Sequence, residues 1–163
     1  MTKTVKLILV IAAMCFAAGL SFSVHAQTRR FSPNELVSDL YREHNGKHSP
    51  FFQTRSRALL DKYFEKSLAD MIWKDAVNSK KEVGAIDGDP LYDAQDMDIK
   101  EFVIGKPSYE NGKARVSVSF ENFGKQKTIV FILVNGRSGW RIGDLDYGQG
   151  RTLKGDLKGT ASP

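Results

Sequence analysis

The stretch AIDGDPLYDAQD, residues 85–96, places four carboxylates, Asp87, Asp89, Asp93 and Asp96, within twelve positions. Such a density admits three chemistries: cation ligation, general acid–base catalysis, or the capping of backbone amides. A calcium hand needs oxygen ligands at its first, third and fifth positions, glycine at the sixth and glutamate at the twelfth. Counted from Asp87, the fifth and sixth residues are Leu91 and Tyr92 and the twelfth is Asp98, so the hand fails and no metal is expected. Carboxylates that move protons need pKa values pushed apart by their surroundings, which spacing alone does not supply. Asp87-Gly88 and Asp89-Pro90 are turn-forming pairs, and the proline biases Asp89 to extended backbone. The stretch therefore predicts a structural loop whose carboxylates cap backbone amides, with a binding rim as the alternative.

Histidine is the other residue type with chemistry to offer. His44 and His48 stand in HNGKH at the spacing of a zinc pair on one helical face, but Asn45-Gly46 between them ends a helix. An exposed helix end and loop is the expectation for both. No G-x-S-x-G elbow is present, and no glycine-rich phosphate loop follows a strand. No catalytic residue and no cofactor is predicted.

The beginning of the chain limits the compartment. Lys3 and Lys6 precede an apolar run from Leu7 to Ala18, and SVHAQ offers a small-residue cut after Ala26. These are the three parts of a secretory signal peptide. The run is shorter than the roughly 20 apolar residues that span a bilayer. The reading is a signal peptide over residues 1–26 and a mature form that does not span the membrane, periplasmic or secreted. Cys15, the only cysteine, leaves with that segment, which excludes an internal disulfide and a cysteine-ligated zinc. Residues 27–158 then form one domain, with 159–163 a flexible tail. The net charge of +5 includes Lys3 and Lys6, and the basic residues are scattered among acidic ones. Nucleic-acid binding is not expected.

The elements that would position these groups are marked locally. In FSPNEL, Ser32 is an N-cap, Pro33 suits the first helical position, Glu35 closes a capping box, and Phe31 with Leu36 forms a hydrophobic staple. Leu36, Val37, Leu40 and Tyr41 give this helix one apolar face. From Gln53 to about Ser79, Leu60, Phe64, Leu68, Met71, Ile72 and Ala76 keep spacings of three and four, which predicts one long helix. Beyond residue 97 the period falls to two, and Ala114, Val116, Val118 and Phe120 alternate with polar residues. Turn signals at Asn111-Gly112, NFGKQ and NGRSG divide the region into four strands, about 99–108, 113–122, 126–135 and 139–147.

Two strands raise functional questions. TIVFILV, Thr128 to Val134, is apolar on both faces, so its second face needs a cover: either the C-terminal tail or a second copy in a homodimer. In GWRIGDLDYG, residues 139–148, Trp140 and Ile142 share a face. Asp144, just after Gly143, is expected on that face at the mouth of whatever the sheet encloses.

Two helices followed by a curved antiparallel meander ending in GWRIGDLDYG resemble the nuclear transport factor 2-like fold. DGDPLYDAQD, the Gly-Lys-Ala-Arg-Val-Ser-Val strand and VFILVNGRSGWRIGDLDY are similar to the small secreted bacterial domains called domain of unknown function 3828. The likeness covers about residues 33–158, with Asp89-Pro90, Gln95-Asp96 and Trp-Arg-Ile followed by Asp144 as its most specific parts. It implies an α+β cone, N-terminal helices (one long) packed on a curved antiparallel sheet of about four strands around a pocket. It carries no activity with it. The expectation is an exported, non-catalytic binding or interaction module of the bacterial envelope. Its candidate ligand-binding residues are Tyr41, Phe64, Asp89, Gln95, Asp96, Phe120, Trp140 and Asp144, and its partner an unknown small molecule or envelope protein. The alternatives are an envelope-complex subunit or inhibitor acting through the outer sheet face, and a small isomerase or dehydratase using Asp144 with Tyr41.

Overall fold

The structure, a computed structural model, describes residues 30–79 and 84–159. The predicted signal peptide lies outside the described residues. Helices come first and an open antiparallel sheet of six strands follows, so the class is α+β.

Helix α1 spans Pro33–Asn45 and begins where its capping residues place it. The Ser32 amide and hydroxyl both donate to Glu35 Oε2, at 2.9 and 2.8 Å. Leu36, Val37, Leu40 and Tyr41 are buried on its inner face. Asp39 is buried with them, its carboxylate accepting from the Tyr63 hydroxyl at 2.7 Å and facing Lys62 Nζ at 2.8 Å. A buried charge is tolerated when it is paired and hydrogen-bonded in this way.

The predicted long helix is two. Helix α2, Ala58–Tyr63, stops at Phe64, whose backbone is extended, and α3, Lys66–Asn78, starts after Glu65. Glu65 caps α3 by accepting from the Ser67 amide at 3.0 Å, while its own amide donates to the Ile142 carbonyl at 2.8 Å. The chain leaves the helix at Phe64 because it pairs with a strand there. The apolar spacing passes through the break unaltered, and Leu60, Phe64, Leu68 and Ile72 are all buried. Trp73 is half-buried against the core.

Strands β1 (Ile99–Ile104), β2 (Ser108–Glu110), β3 (Lys113–Asn122), β4 (Lys125–Gly136), β5 (Gly139–Gly148) and β6 (Arg151–Thr152) run in the order β1-β3-β4-β5-β6, with β2 also on β3. Ala114, Val116 and Val118 stand opposite Leu133, Phe131 and Ile129, and all six are buried toward the helices. Asn111-Gly112 turns β2 into β3 with positive φ at both residues, as a two-residue hairpin requires. The free side of the sheet is irregular: β1 bulges between Lys100 and Val103, with Glu101 at φ 50, and Pro107 separates β1 from β2.

A second bulge changes the face that Asp144 presents. Ile132 pairs with Asp144 but Leu133 pairs with Ile142, so Gly143 is the extra residue. Ile142 and Leu145 point into the core, whereas Asp144 points away from it, contrary to the simple alternation expected from sequence.

The tail turns back at Gly148-Gln149-Gly150, all at positive φ, and forms β6 and a short helix, α4, Leu153–Gly159. Leu153 and Leu157 are buried where α4 meets α3 and β5. Its described residues therefore close the core side, and the tail they form is not the cover of the outer face of β4, one of the two expected from sequence. Val130, Ile132 and Val134 are half-buried on that outer face. Arg115 stands opposite Ile132 and Asp146 opposite Val130, and their 3.4 Å ion pair crosses β4 over these aliphatic side chains. Among the described residues, no helix is long and apolar enough to cross a membrane.

Candidate functional site

Four of the groups that hold the 85–96 loop come from elsewhere in the chain. The Asp75 carboxylate of α3 accepts from the Ala85 and Ile86 amides, at 2.7 and 3.3 Å. The Tyr41 hydroxyl donates to the Leu91 carbonyl at 2.6 Å, the Tyr147 hydroxyl to the Pro90 carbonyl at 3.1 Å, and the Tyr92 hydroxyl returns to Asn45 Oδ1 at 3.0 Å. Loop carbonyls that lose water must find such donors. Burial, with the carboxylate of Asp89 nearby, raises the Tyr41 pKa well above that of an ordinary phenol; burial and then the Asp93 charge raise that of Tyr147. Both hydroxyls stay protonated and available to donate.

Asp89 is the centre of the loop. Its amide donates to the Ala94 carbonyl at 2.7 Å, and its carbonyl accepts from the Tyr92 amide at 3.2 Å. Its Oδ1 accepts from the Leu91 amide at 2.9 Å, the capping role that the sequence predicts. Its Oδ2 lies 2.5 Å from His44 Nε2. Gly88 fits because the chain closes on itself here: a Cβ at that position would meet the Ala94 carbonyl oxygen at 2.9 Å.

His44 corrects the expectation of an exposed helix end. Its side chain is only 8 % exposed, and its Nδ1 sits 2.9 Å from Ser49 Oγ. Ser49, His44 and Asp89 thus form a serine–histidine–aspartate chain of contacts, the residue types of a hydrolase relay. Its members also have structural work. Ser49 Oγ accepts from the Phe51 amide at 3.3 Å, capping the short 3-10 turn Pro50–Phe52, and Asp89, at the far end of the chain of contacts, borders a cleft. The chain of contacts orients Asp89 and ties α1 to the loop. His48 is the exposed loop histidine expected, its ring 73 % accessible.

The cleft has a volume of about 310 Å³. One wall is the loop, with Asp87, Asp89 and Gln95; the other is the tail, with Arg151, Leu153 and Asp156. Arg151 joins the two walls: it binds Asp93, reaches Asp156 at 3.1 Å, and lies over the Tyr147 ring at 4.5 Å from its centroid. Lys127 also binds Asp93 from β4. Asp87 and Gln95, by contrast, make no side-chain hydrogen bond among the described residues and are exposed.

The eight residues predicted to bind a ligand are not brought together. Asp89 and Gln95 line this cleft. Asp96 is exposed beside it, its carbonyl accepting from Asn122 Nδ2 at 3.2 Å. Tyr41, Phe64 and Phe120 are core residues, respectively 3, 2 and 0 % exposed. Tyr92 meets Tyr41 and Phe120 edge-on, at 5.5 Å from each, and Phe51 packs on Phe64 at 5.4 Å, so aromatic neighbours fill the space assigned to a cavity. Asp144 Oδ1 accepts from the Leu145 and Lys154 amides, at 2.9 and 3.0 Å, and caps α4. Trp140 lines a different cleft. His44, Tyr147 and Arg151 escape sequence reasoning because their partners in the loop lie 45, 57 and 58 residues away.

No protein-family model, no curated protein and no solved structure matches the chain.

Proposed function

We propose that this chain is an exported, non-catalytic binding module of the bacterial envelope, which holds a small polar ligand in the cleft between the 85–96 loop and the tail. Residues 1–26 act as the signal peptide. The frame is a nuclear transport factor 2-like cone of the domain of unknown function 3828 type, a reading supported by the order of elements, helices first and an antiparallel sheet after. One observation carries the binding site. Asp89 and Asp93 are consumed in fixing the loop, whereas Asp87 and Gln95, on the same rigid wall, present polar groups to the cleft with no partner among the described residues. Unsatisfied polar groups on a hydrogen-bonded loop, facing a concave site of this size, are what small-ligand recognition uses. The non-catalytic reading is supported by the two candidate proton-transfer groups, since Tyr41 is committed to the Leu91 carbonyl and Asp144 to the start of α4.

The test is native mass spectrometry of the protein purified from the periplasm without added ligand, alongside the denatured sample. An excess mass that disappears on denaturation, and that Asp87→Ala with Gln95→Ala abolishes at unchanged melting temperature, is the expected result. A bare wild-type mass overturns the small-ligand reading. It would favour a second one, an interaction module or homodimer using the outer face of β4, to which Val130, Ile132, Val134 and the 57 % exposed Val103 contribute.

A further inference from the structure

A second cleft, of about 450 Å³, shares no lining residue with the first. Its apolar wall is Phe31 and Leu36 from the start of α1 and Trp140 from β5; its polar edge carries Arg30, Lys62 and Arg141. Tyr109, 64 % exposed on β2, tilts against Trp140 at 5.9 Å and extends the aromatic surface. The site thus has two chemically distinct parts, a greasy wall and a cationic edge.

The charge is not balanced from within. Arg141 is held by three carbonyls, its Nε donating to Asp61 at 3.2 Å and its Nη1 to Ser138 at 3.2 Å and Trp140 at 2.7 Å. Among the described residues no carboxylate pairs with it, because the Asp61 side chain is taken by Arg57 at 3.0 Å. Lys62, by contrast, is paired with Asp39 at 2.8 Å, which leaves the Arg141 guanidinium as the unbalanced charge. The carbonyl contacts fix the guanidinium without neutralising it, and they leave Nη2 free of any hydrogen bond to the described residues. A fixed, uncompensated guanidinium beside an apolar wall is poised for a carboxylate, for which the charge-assisted hydrogen bond needs no reorganisation of the donor.

We propose that this cleft binds a monoanion with an extended apolar body, an acyl or aryl carboxylate, with its head on Arg141 and its body against Trp140, Phe31 and Leu36. Burial of the body supplies affinity in proportion to the apolar area covered, and the guanidinium selects the charge.

The experiment uses the protein as purified from the periplasm, carrying Trp73→Phe so that Trp140 is the sole tryptophan reporter. Its fluorescence is followed as decanoate, decanol and decyltrimethylammonium are added in separate titrations. The expected result is saturable binding of decanoate, about tenfold or more tighter than decanol, one lost charge-assisted contact being worth about a factor of ten, with the cation weakest. Arg141→Gln should remove the preference for decanoate while leaving decanol unchanged, and Arg141→Lys should restore part of it; Gln95→Ala should alter neither. Equal binding of all three chains overturns the proposal, as does decanoate binding that survives Arg141→Gln undiminished, or no saturable binding of decanoate at all. Because Asp87 and Gln95 are absent from this cleft, failure here and failure of the loop cleft show up in different variants.

Discussion

His44 Nε2 and Asp89 Oδ2 lie 2.5 Å apart across 45 residues of chain, joining the end of α1 to the one residue on which the 85–96 loop turns. Replacing His44 by alanine leaves a largely buried carboxylate oxygen without its donor, at a cost of about 1–3 kcal/mol. Urea unfolding of His44→Ala should show that loss as a lower midpoint with an unchanged slope. Asp89→Ala, which also removes the Leu91 cap, should cost more than His44→Ala, and the double variant should lose less than the sum of the two.

The tyrosines give the protein an alkaline limit. Burial raises the pKa of Tyr41, Tyr92 and Tyr147, and burial followed by the Glu43 charge pushes Tyr63 up to about 12. An unfolded phenol ionises near pH 10, so above that pH the folded state retains protons that the unfolded state has released. The stabilisation is complete below about pH 10 and is lost as pH rises through the folded values. Urea midpoints should therefore hold below about pH 10 and fall as the pH rises from there through about 12. In a rapid spectrophotometric titration, the absorbance of four of the five tyrosines should appear only with unfolding.

Asp144 makes a narrower prediction. It caps α4 through the Lys154 amide, so Asp144→Ala should cost about 1 kcal/mol, as removal of a helix cap does. Hydrogen exchange should quicken at Lys154 and its neighbours in α4, with β3 and β4 amides unchanged. Loss of protection throughout the sheet would show that the bulge, not the cap, depends on this carboxylate.

The tail predicts a coupling. Arg151 connects Asp93 on the loop with Asp156 on α4, half-exposed, so Arg151→Ala should reduce global stability by less than about 1 kcal/mol. Its larger effect should be local, and backbone amide NMR should report shifts both at residues 89–96 and at 153–157.

What was legible in the sequence follows the distance over which each cause acts. The start of α1 is readable because Ser32, Pro33 and Glu35 act within one turn, and the β3 register because alternation from Ala114 to Phe120 records a single buried face. The capping role of Asp89 follows from its neighbours Gly88 and Pro90 in the same way. The break between α2 and α3 is not readable, since Phe64 keeps the helical stripe while its backbone answers to Ile142 on a distant strand. Nor is the face of Asp144: the sequence marks a kink at Gly143, but only the pairing of Leu133 with Ile142 shows that one residue is inserted there. The candidate site divides likewise. Its loop wall is continuous in sequence, whereas Arg151, Leu153 and Asp156 meet it only through the fold-back of the tail.

The bulge at Glu101 in β1 and Pro107 between β1 and β2 lie along one edge of the sheet, where a second chain would otherwise find a ready row of amides and carbonyls. A ladder started against Lys100 falls out of step within one residue, and one started near Pro107 meets a position with no hydrogen to offer. Crowding at high concentration should then bring such chains together face to face, through Val103 and the β4 aliphatics, rather than rim to rim. A two-fold pair formed in this way is closed, without the open-ended growth that leads to fibres.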